Sequence, residues 1–172
     1  ACLFYVFVYT LWLKRSSSQN IVIGGAAGAV PVLVGWSAVT NSVTISALVL
    51  FAVIFFWTPP HFWALAIKYK DDYASVDVPM LPSVASLRDT ATKIVTYTVI
   101  LWALTLVFAP VADMGPLYLG AAVVLGAMFT AMTVKLYRNP TTAQAMKVFT
   151  YSITYVTLLF GAMALDQLVQ NS

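Results

Sequence analysis

The sequence predicts an all-α integral membrane protein, a helical bundle with about six transmembrane helices. Of its 172 residues, 61% are hydrophobic and 9% are charged, whereas soluble domains contain about 25% charged residues. Mean hydropathy is +0.88, and apolar runs recur at lengths close to the roughly 20 residues that a spanning helix needs. Cys2 is the only cysteine, which excludes an internal disulfide and a cysteine metal cluster.

Six apolar segments follow one another along the chain. Segment A, residues 1–13, is shorter than a full span and is apolar from its first residue, so we expect the natural N-terminus to lie upstream. The other five have the length of a span: B at 21–39, C at 43–67, D at 94–111, E at 116–136 and F at 146–168. We therefore expect one transmembrane domain over residues 1–172, with its N-terminal part missing.

The basic residues predict the orientation of these segments. All 9 Lys and Arg residues fall in or beside the A–B, C–D and E–F connections. They are Lys14, Arg15, Lys68, Lys70, Arg88, Lys93, Lys135, Arg138 and Lys147. Six spans place them all on one side of the membrane, and the positive-inside rule assigns that side to the cytoplasm.

Segment B contains the small-residue run GGAAGA at 24–29. Small residues allow helix backbones to approach closely in lipid. They can also leave room for a ligand. Of these two interpretations, the composition favours close packing.

Two prolines, Pro59 and Pro60, lie near the end of segment C. Each lacks a backbone donor and disturbs the preceding helical turn. In a membrane such a break persists only where protein or a cavity satisfies the freed groups. The alternative is a simple kink that serves helix packing.

The only histidine, His61, follows these prolines. If the helix resumes, His61, Lys68 and Asp72 share one face, with Trp57 one turn before His61. Eleven residues of helix cover about 16 Å, so His61 and Asp72 could line one cavity without touching one small group. His61 is either bonded to a neighbouring helix or available for haem ligation or proton transfer.

Asp71 and Asp72 form an adjacent acidic pair, flanked by Lys68, Lys70 and Tyr73. Mg²⁺ binds one or two carboxylates together with substrate phosphates, and lysines bind phosphate directly. The pattern is therefore typical of a metal–diphosphate site. A solvated charged loop that anchors the helix end is the competing interpretation.

Two long stretches resemble a known family. LKRSSSQNIVIGGAAGAVPVLVGW at 13–36 and WTPPHFWALAIKYKDDYASVDVPMLP at 57–82 closely resemble the protohaem IX farnesyltransferases, or haem O synthases, of the UbiA prenyltransferase superfamily. The resemblance implies a nine-helix fold around a central cavity, of which segments A to F would be helices four to nine. It also implies two aspartate-bearing regions that bind Mg²⁺ and the prenyl diphosphate. Asp71 and Asp72 match the second region, and we expect the first to lie upstream of Ala1.

The reaction implied by the resemblance joins farnesyl diphosphate to a vinyl group of haem b and yields haem O. Asp71 and Asp72 would bind the metal, and Lys68 and Lys70 would contact the diphosphate beside Tyr73. His61, with Trp57, would contact the porphyrin. Further candidates for substrate binding are Lys14, Arg15 and Asn20.

Departures from the family pattern also carry predictions. Lys68 stands where the wider superfamily often has a first aspartate of the second region. Asp77 stands where haem O synthases commonly have glycine or asparagine, which predicts a turn before Pro79 rather than a metal ligand. We expect the 172-residue chain alone to be inactive, because half of the metal site would be missing.

Other functions remain open from the sequence. One is a UbiA-type prenyltransferase with an aromatic quinone-precursor acceptor, and another is a non-catalytic haem-binding membrane assembly protein. We expect the lipid bilayer as surroundings, a haem A synthase or terminal oxidase assembly as partner, and no nucleic acid. A bacterial inner membrane is favoured over a mitochondrial inner membrane.

Overall fold

The computed structural model describes residues 3–13 and 16–172, and within those ranges it contains helices and no strand. The predicted all-α class is confirmed. The helices, in chain order, are α1 Phe4–Leu13, α2 Asn20–Thr40, α3 Ile45–Lys68, α4 Lys70–Ser75, α5 Leu81–Val84, α6 Leu87–Val111, α7 Pro116–Arg138 and α8 Thr142–Gln170.

Five of the described helices, α2, α3, α6, α7 and α8, are long and apolar enough to cross a membrane. They correspond to segments B to F. Segment A appears as α1, a helix of 10 residues with π-type hydrogen bonding, about half the length that a span needs. Among the described helices, α1 packs against α2.

Two spanning helices begin earlier than the apolar pattern predicts, because polar caps extend them beyond the apolar runs. The Ser86 hydroxyl accepts a hydrogen bond from the backbone N–H of Asp89 at 3.0 Å and donates to its carboxylate at 2.6 Å. The Thr141 hydroxyl accepts from the backbone N–H of Gln144 at 3.3 Å. Such caps satisfy backbone donors that have no partner within the helix.

Successive spanning helices run antiparallel around α3, which packs against α2, α6 and α8. At one end of the bundle Ser46 Oγ donates to the Val111 carbonyl at 3.0 Å. At the other end Arg88 Nη2 donates to the Tyr137 hydroxyl at 3.4 Å. The Lys and Arg residues within the described ranges all belong to this second end, which we call the basic end.

Asp166 lies at the end opposite the basic end and is buried, with 2% of its surface exposed. Its carboxylate accepts hydrogen bonds from the backbone N–H groups of Gly115 at 2.6 Å and Tyr118 at 3.1 Å. Gln170 Nε2 donates to it at 2.7 Å. A negative charge at the N-terminus of α7 also interacts favourably with the helix dipole, so Asp166 ties α8 to α7.

The small residues of α2 include both a close-packed position and one beside open space. A Cβ added at Gly25 would lie 3.1 Å from Thr58 Cγ2 on α3, so Gly25 is a packing position. A Cβ added at Gly28 would meet no atom within 4 Å, so this position borders open space.

Candidate functional site

The segment with both prolines is continuous helix. Helix α3 runs from Ile45 through Pro59 and Pro60 to Lys68, and both prolines are buried. Since neither has an N–H, the carbonyls of Phe55 and Phe56 lose their usual donors. The condition under which His61 and Lys68 share one face, a helix that continues after the prolines, holds as far as Lys68.

His61 is surrounded by aromatic side chains of α3 and α8, which together with it we call the histidine cage. The histidine has 8% of its surface exposed. The imidazole stacks on Trp57 with ring centroids 4.4 Å apart and on Phe149 at 4.7 Å. Phe62 meets its edge at 5.0 Å. His61 Nδ1 is hydrogen-bonded to Ser152 Oγ at 2.7 Å. The interpretation of His61 as a histidine bonded to a neighbouring helix is therefore confirmed for its Nδ1 atom.

A cavity of about 300 Å³ lies beside this cage, between α1, α2 and α3. Its walls are mostly apolar and include Gly24, Gly25 and Gly28 on α2. Trp57 and Phe62, which both contact the His61 ring, form part of the α3 wall. The histidine cage and the glycine-rich stretch of α2 thus meet at one space.

Asp71 and Asp72 lie in the first turn of α4 at the basic end, and both are exposed. Their carboxylates form no hydrogen bond or ion pair with another residue of the part that the structure describes. Lys68 and Lys70 on either side are exposed as well, and Lys68 Nζ lies 5.1 Å from the centre of the Tyr69 ring. Charges of both signs are therefore available to a ligand here.

A small apolar cluster anchors α4, which carries Asp71 and Asp72 and which we call the acidic segment, to the bundle. Val78 and Met80, which follow α4, are buried together with Ala66 of α3 and Ile21 of α2. Tyr73 packs against this cluster and is half-buried. Tyr73 thus attaches α4 to the start of α2, while the two carboxylates on the same short helix stay in solvent.

Asn20, another predicted substrate-binding residue, opens α2 next to Ile21 and is fully buried. It therefore belongs to the same end of the bundle as the acidic pair. The remaining candidates, Lys14 and Arg15, lie outside the described residues.

One geometric prediction is wrong in part. His61 and Lys68 lie on one continuous helix, but α3 ends at Lys68 and Tyr69 has non-helical φ −104° and ψ 21°. Asp72 belongs to the separate helix α4, so the stripe expected from His61 to Asp72 stops at Lys68. The seven helical steps from His61 to Lys68 still rise by about 10 Å. The histidine cage and the acidic segment are therefore distinct places.

Asp77 adopts φ 52°, in the left-handed region that glycine and asparagine favour. The predicted turn before Pro79 is confirmed. Within the described ranges, no group of three or more His, Cys, Asp or Glu side chains could hold a metal ion. Asp71 and Asp72 form a pair, which suits a metal whose other ligands come from a substrate or from elsewhere.

Sequence reasoning missed Ser152. It is fully buried on α8 and lies 91 residues from its hydrogen-bond partner His61. The available signal was a polar residue within an apolar span, because such groups need an internal partner in lipid. That signal does not identify the partner.

Comparison with known proteins decides the family. The model of the UbiA prenyltransferase family matches residues 1–163. The chain belongs to this family. Its five long apolar helices are those of a UbiA-type integral membrane bundle. No solved structure matches the chain significantly.

Several bacterial members of the UbiA family are similar to this chain over most of its length. A protein from Parafrankia sp. (strain EAN1pec) is 56% identical over 95% of this chain and 53% of its own length. One from Frankia alni is 54% identical over 98% and 60%. One from Synechococcus sp. (strain JA-2-3B'a(2-13)) is 51% identical over 96% and 51%. All three are named protoheme IX farnesyltransferase, and the chain spans between about half and three-fifths of their length.

Proposed function

We propose that this UbiA-family chain, as part of its whole protein, transfers a farnesyl group from farnesyl diphosphate to a vinyl group of haem b, forming haem O. The observation that carries the proposal is its 56% identity, over 95% of its length, with a relative named protoheme IX farnesyltransferase. The separation of an acidic segment at the basic end from an aromatic cage with a histidine is consistent with a donor and an acceptor of different chemistry.

The acidic segment is our proposed site for the diphosphate. Asp71 and Asp72 fit Mg²⁺, because they are exposed and hold no other partner within the described residues and because Mg²⁺ completes its coordination with phosphate oxygens. When bound, Mg²⁺ would neutralise charge that develops on the departing diphosphate. Lys68 and Lys70 would contribute positive charge to the same oxygens.

The reaction would proceed through departure of the diphosphate. The C–O bond of farnesyl diphosphate breaks, and its electron pair leaves with the diphosphate. The vinyl π electrons of haem b then form a C–C bond to the allylic carbon. The resulting cation takes up water and releases a proton, which leaves a hydroxyethylfarnesyl group.

The histidine cage is our proposed contact with the porphyrin. Trp57 and Phe149 stack on the His61 ring and keep it among apolar groups. Since α3 puts Lys68 about 10 Å beyond His61, His61 is too far along the helix to share the diphosphate. We assign His61 and Trp57 to the acceptor, and we retain Tyr73, Asn20, Lys14 and Arg15 as donor-side candidates.

The proposal includes a location. Because positively charged loops stay in the cytoplasm, we place the basic end on the cytoplasmic face of a bacterial inner membrane. Haem O would pass from there to a haem A synthase or a terminal oxidase assembly. We also propose that activity requires the whole protein, since this chain spans 53% of its Parafrankia relative.

The test is a reconstituted assay with full-length protein, farnesyl diphosphate, haem b and Mg²⁺. We expect haem O, detected by chromatography and mass spectrometry, to disappear with EDTA and return with excess Mg²⁺. Prenylation of an aromatic acid without prenylation of haem b would contradict the proposed acceptor. Haem binding without product from either acceptor would contradict an enzymatic role and favour a haem-binding assembly protein.

A further inference from the structure

One residue of α8, Ser152, holds two aromatic residues of α3. Its backbone carbonyl accepts a hydrogen bond from Trp57 Nε1 at 2.9 Å, and its hydroxyl is bonded to His61 Nδ1 at 2.7 Å. Trp57 and His61 are one helical turn apart, and Ser152 is fully buried. This single position therefore fixes the side of α3 that carries the proposed acceptor contacts.

The proton of the Ser152 hydroxyl decides the state of the histidine. A serine hydroxyl has one proton to donate and two lone pairs. Ser152 Oγ donates to the Phe149 carbonyl, one turn back on α8, at 2.6 Å. Its bond with His61 must therefore run in the other direction, with Nδ1–H as donor and Oγ as acceptor. A neutral imidazole protonated at Nδ1 has an unprotonated Nε2.

Nε2 forms no hydrogen bond with any side chain in the described ranges. The ring cannot turn over easily, because it is stacked between Trp57 and Phe149 with interplanar angles of 18° and 27°. Trp57 and Phe62, which contact the ring, also form part of the wall of the 300 Å³ cavity. The Nε2 lone pair is thus uncommitted within the described ranges, and two residues that contact the ring border an apolar space.

We propose that Ser152 is a positioning residue, which holds His61 as its Nδ1–H tautomer and so keeps Nε2 free to bind the iron of the haem acceptor. Histidines that bind metals generally donate their other N–H to a protein acceptor, which fixes the tautomer and the ring orientation. The iron-binding part rests on the proposed function. The tautomer itself is a property of the protein without substrate.

The tautomer is measured by ¹⁵N NMR on full-length protein with labelled histidine in lipid nanodiscs, with His61 assigned by difference from His61→Gln. At a pH where the ring is neutral, we expect a protonated-type shift at Nδ1 and an unprotonated-type shift at Nε2. A wild-type spectrum with the proton on Nε2 would overturn the proposal without any variant.

Variants test whether Ser152 is the cause. Ser152→Ala should shift His61 toward the Nε2–H tautomer, and Ser152→Thr, which keeps a hydroxyl, should retain Nδ1–H. The matched control is Thr133→Val, because Thr133 is also fully buried and donates to the carbonyl three residues back at 2.9 Å. An unchanged tautomer in folded Ser152→Ala, or an equal change in the control, would contradict the assignment.

Haem titration tests the consequence for binding. Loss of such a supporting hydrogen bond costs roughly 10- to 100-fold in metal affinity, so Ser152→Ala should bind haem b at least about tenfold more weakly than Thr133→Val. The affinity for farnesyl diphosphate should not change. Equal haem affinity in the two variants would overturn the iron-binding role. Should the wild type make no haem O, the proposed function fails, whereas the NMR result stands independently.

Discussion

Asp166 and the pair Asp71–Asp72 lie at opposite ends of the bundle and differ in burial and in hydrogen bonding. Asp166 is 2% exposed and accepts hydrogen bonds from Gly115, Tyr118 and Gln170. Asp71 and Asp72 are exposed, and their carboxylates have no partner within the described ranges. A carboxylate whose oxygens are all satisfied internally stabilises the fold, while one held in solvent on an anchored helix can bind a ligand. The same residue type is therefore placed in two different surroundings, of which only the exposed one leaves the carboxylates accessible to a ligand.

The largest expected effect on stability is at Asp166. Asp166→Ala would leave the N–H groups of Gly115 and Tyr118 without their acceptor inside the bundle, and we expect a loss of about 2–4 kcal/mol in unfolding free energy. Asp166→Asn, which keeps one acceptor oxygen, should lose less. Unfolding of full-length protein by a denaturing detergent measures both. A loss below about 0.5 kcal/mol for Asp166→Ala would remove the distinction between the two regions.

A second expectation compares two glycines, one at a close helix contact and one beside the cavity. A Cβ at Gly126 on α7 would overlap the indole of Trp102 on α6, so Gly126→Ala should cost about 1–3 kcal/mol. Gly28, beside the cavity, has no atom within 4 Å of an added Cβ, so Gly28→Ala should change stability by about 0.5 kcal/mol or less. The same unfolding assay measures both. Equal losses would contradict the view that α6–α7 is closely packed and the α2 cavity is open.

The sequence predicted those features that depend on local composition. The length of the apolar runs located the five long helices. The distribution of lysine and arginine predicted which helix ends lie together at the basic end. The resemblance to the haem O synthases, which commonly have glycine or asparagine at this position, predicted a turn at Asp77, and its φ of 52° confirms the turn. The apolar pattern missed the polar first turns of α6 and α8, because the caps at Ser86 and Thr141 act through hydrogen bonds rather than hydropathy.

Features that depend on contacts between distant residues could not be predicted. Ser152 meets His61 across 91 residues, and Asp166 meets Gly115 across 51. The periodicity of apolar residues along a helix does not specify which distant residue a given side chain will face. The break at Tyr69 was also missed, because nothing in the sequence between Lys68 and Asp72 resembles a helix stop. The division of the site into a cage and an acidic segment survives this error, since His61 and Lys68 lie on one continuous helix.

The central claim is that the exposed acidic pair acts in chemistry and does not merely anchor α4. The most direct test compares Asp72→Asn with Asp77→Asn in full-length protein. Asp77 is an exposed aspartate of the same connection, and asparagine tolerates its φ of 52°. We expect Asp72→Asn to lower haem O formation by about 100-fold or more, with normal levels in the membrane, and Asp77→Asn to retain wild-type formation. Wild-type haem O formation by Asp72→Asn, or equal loss in both variants, would contradict the account.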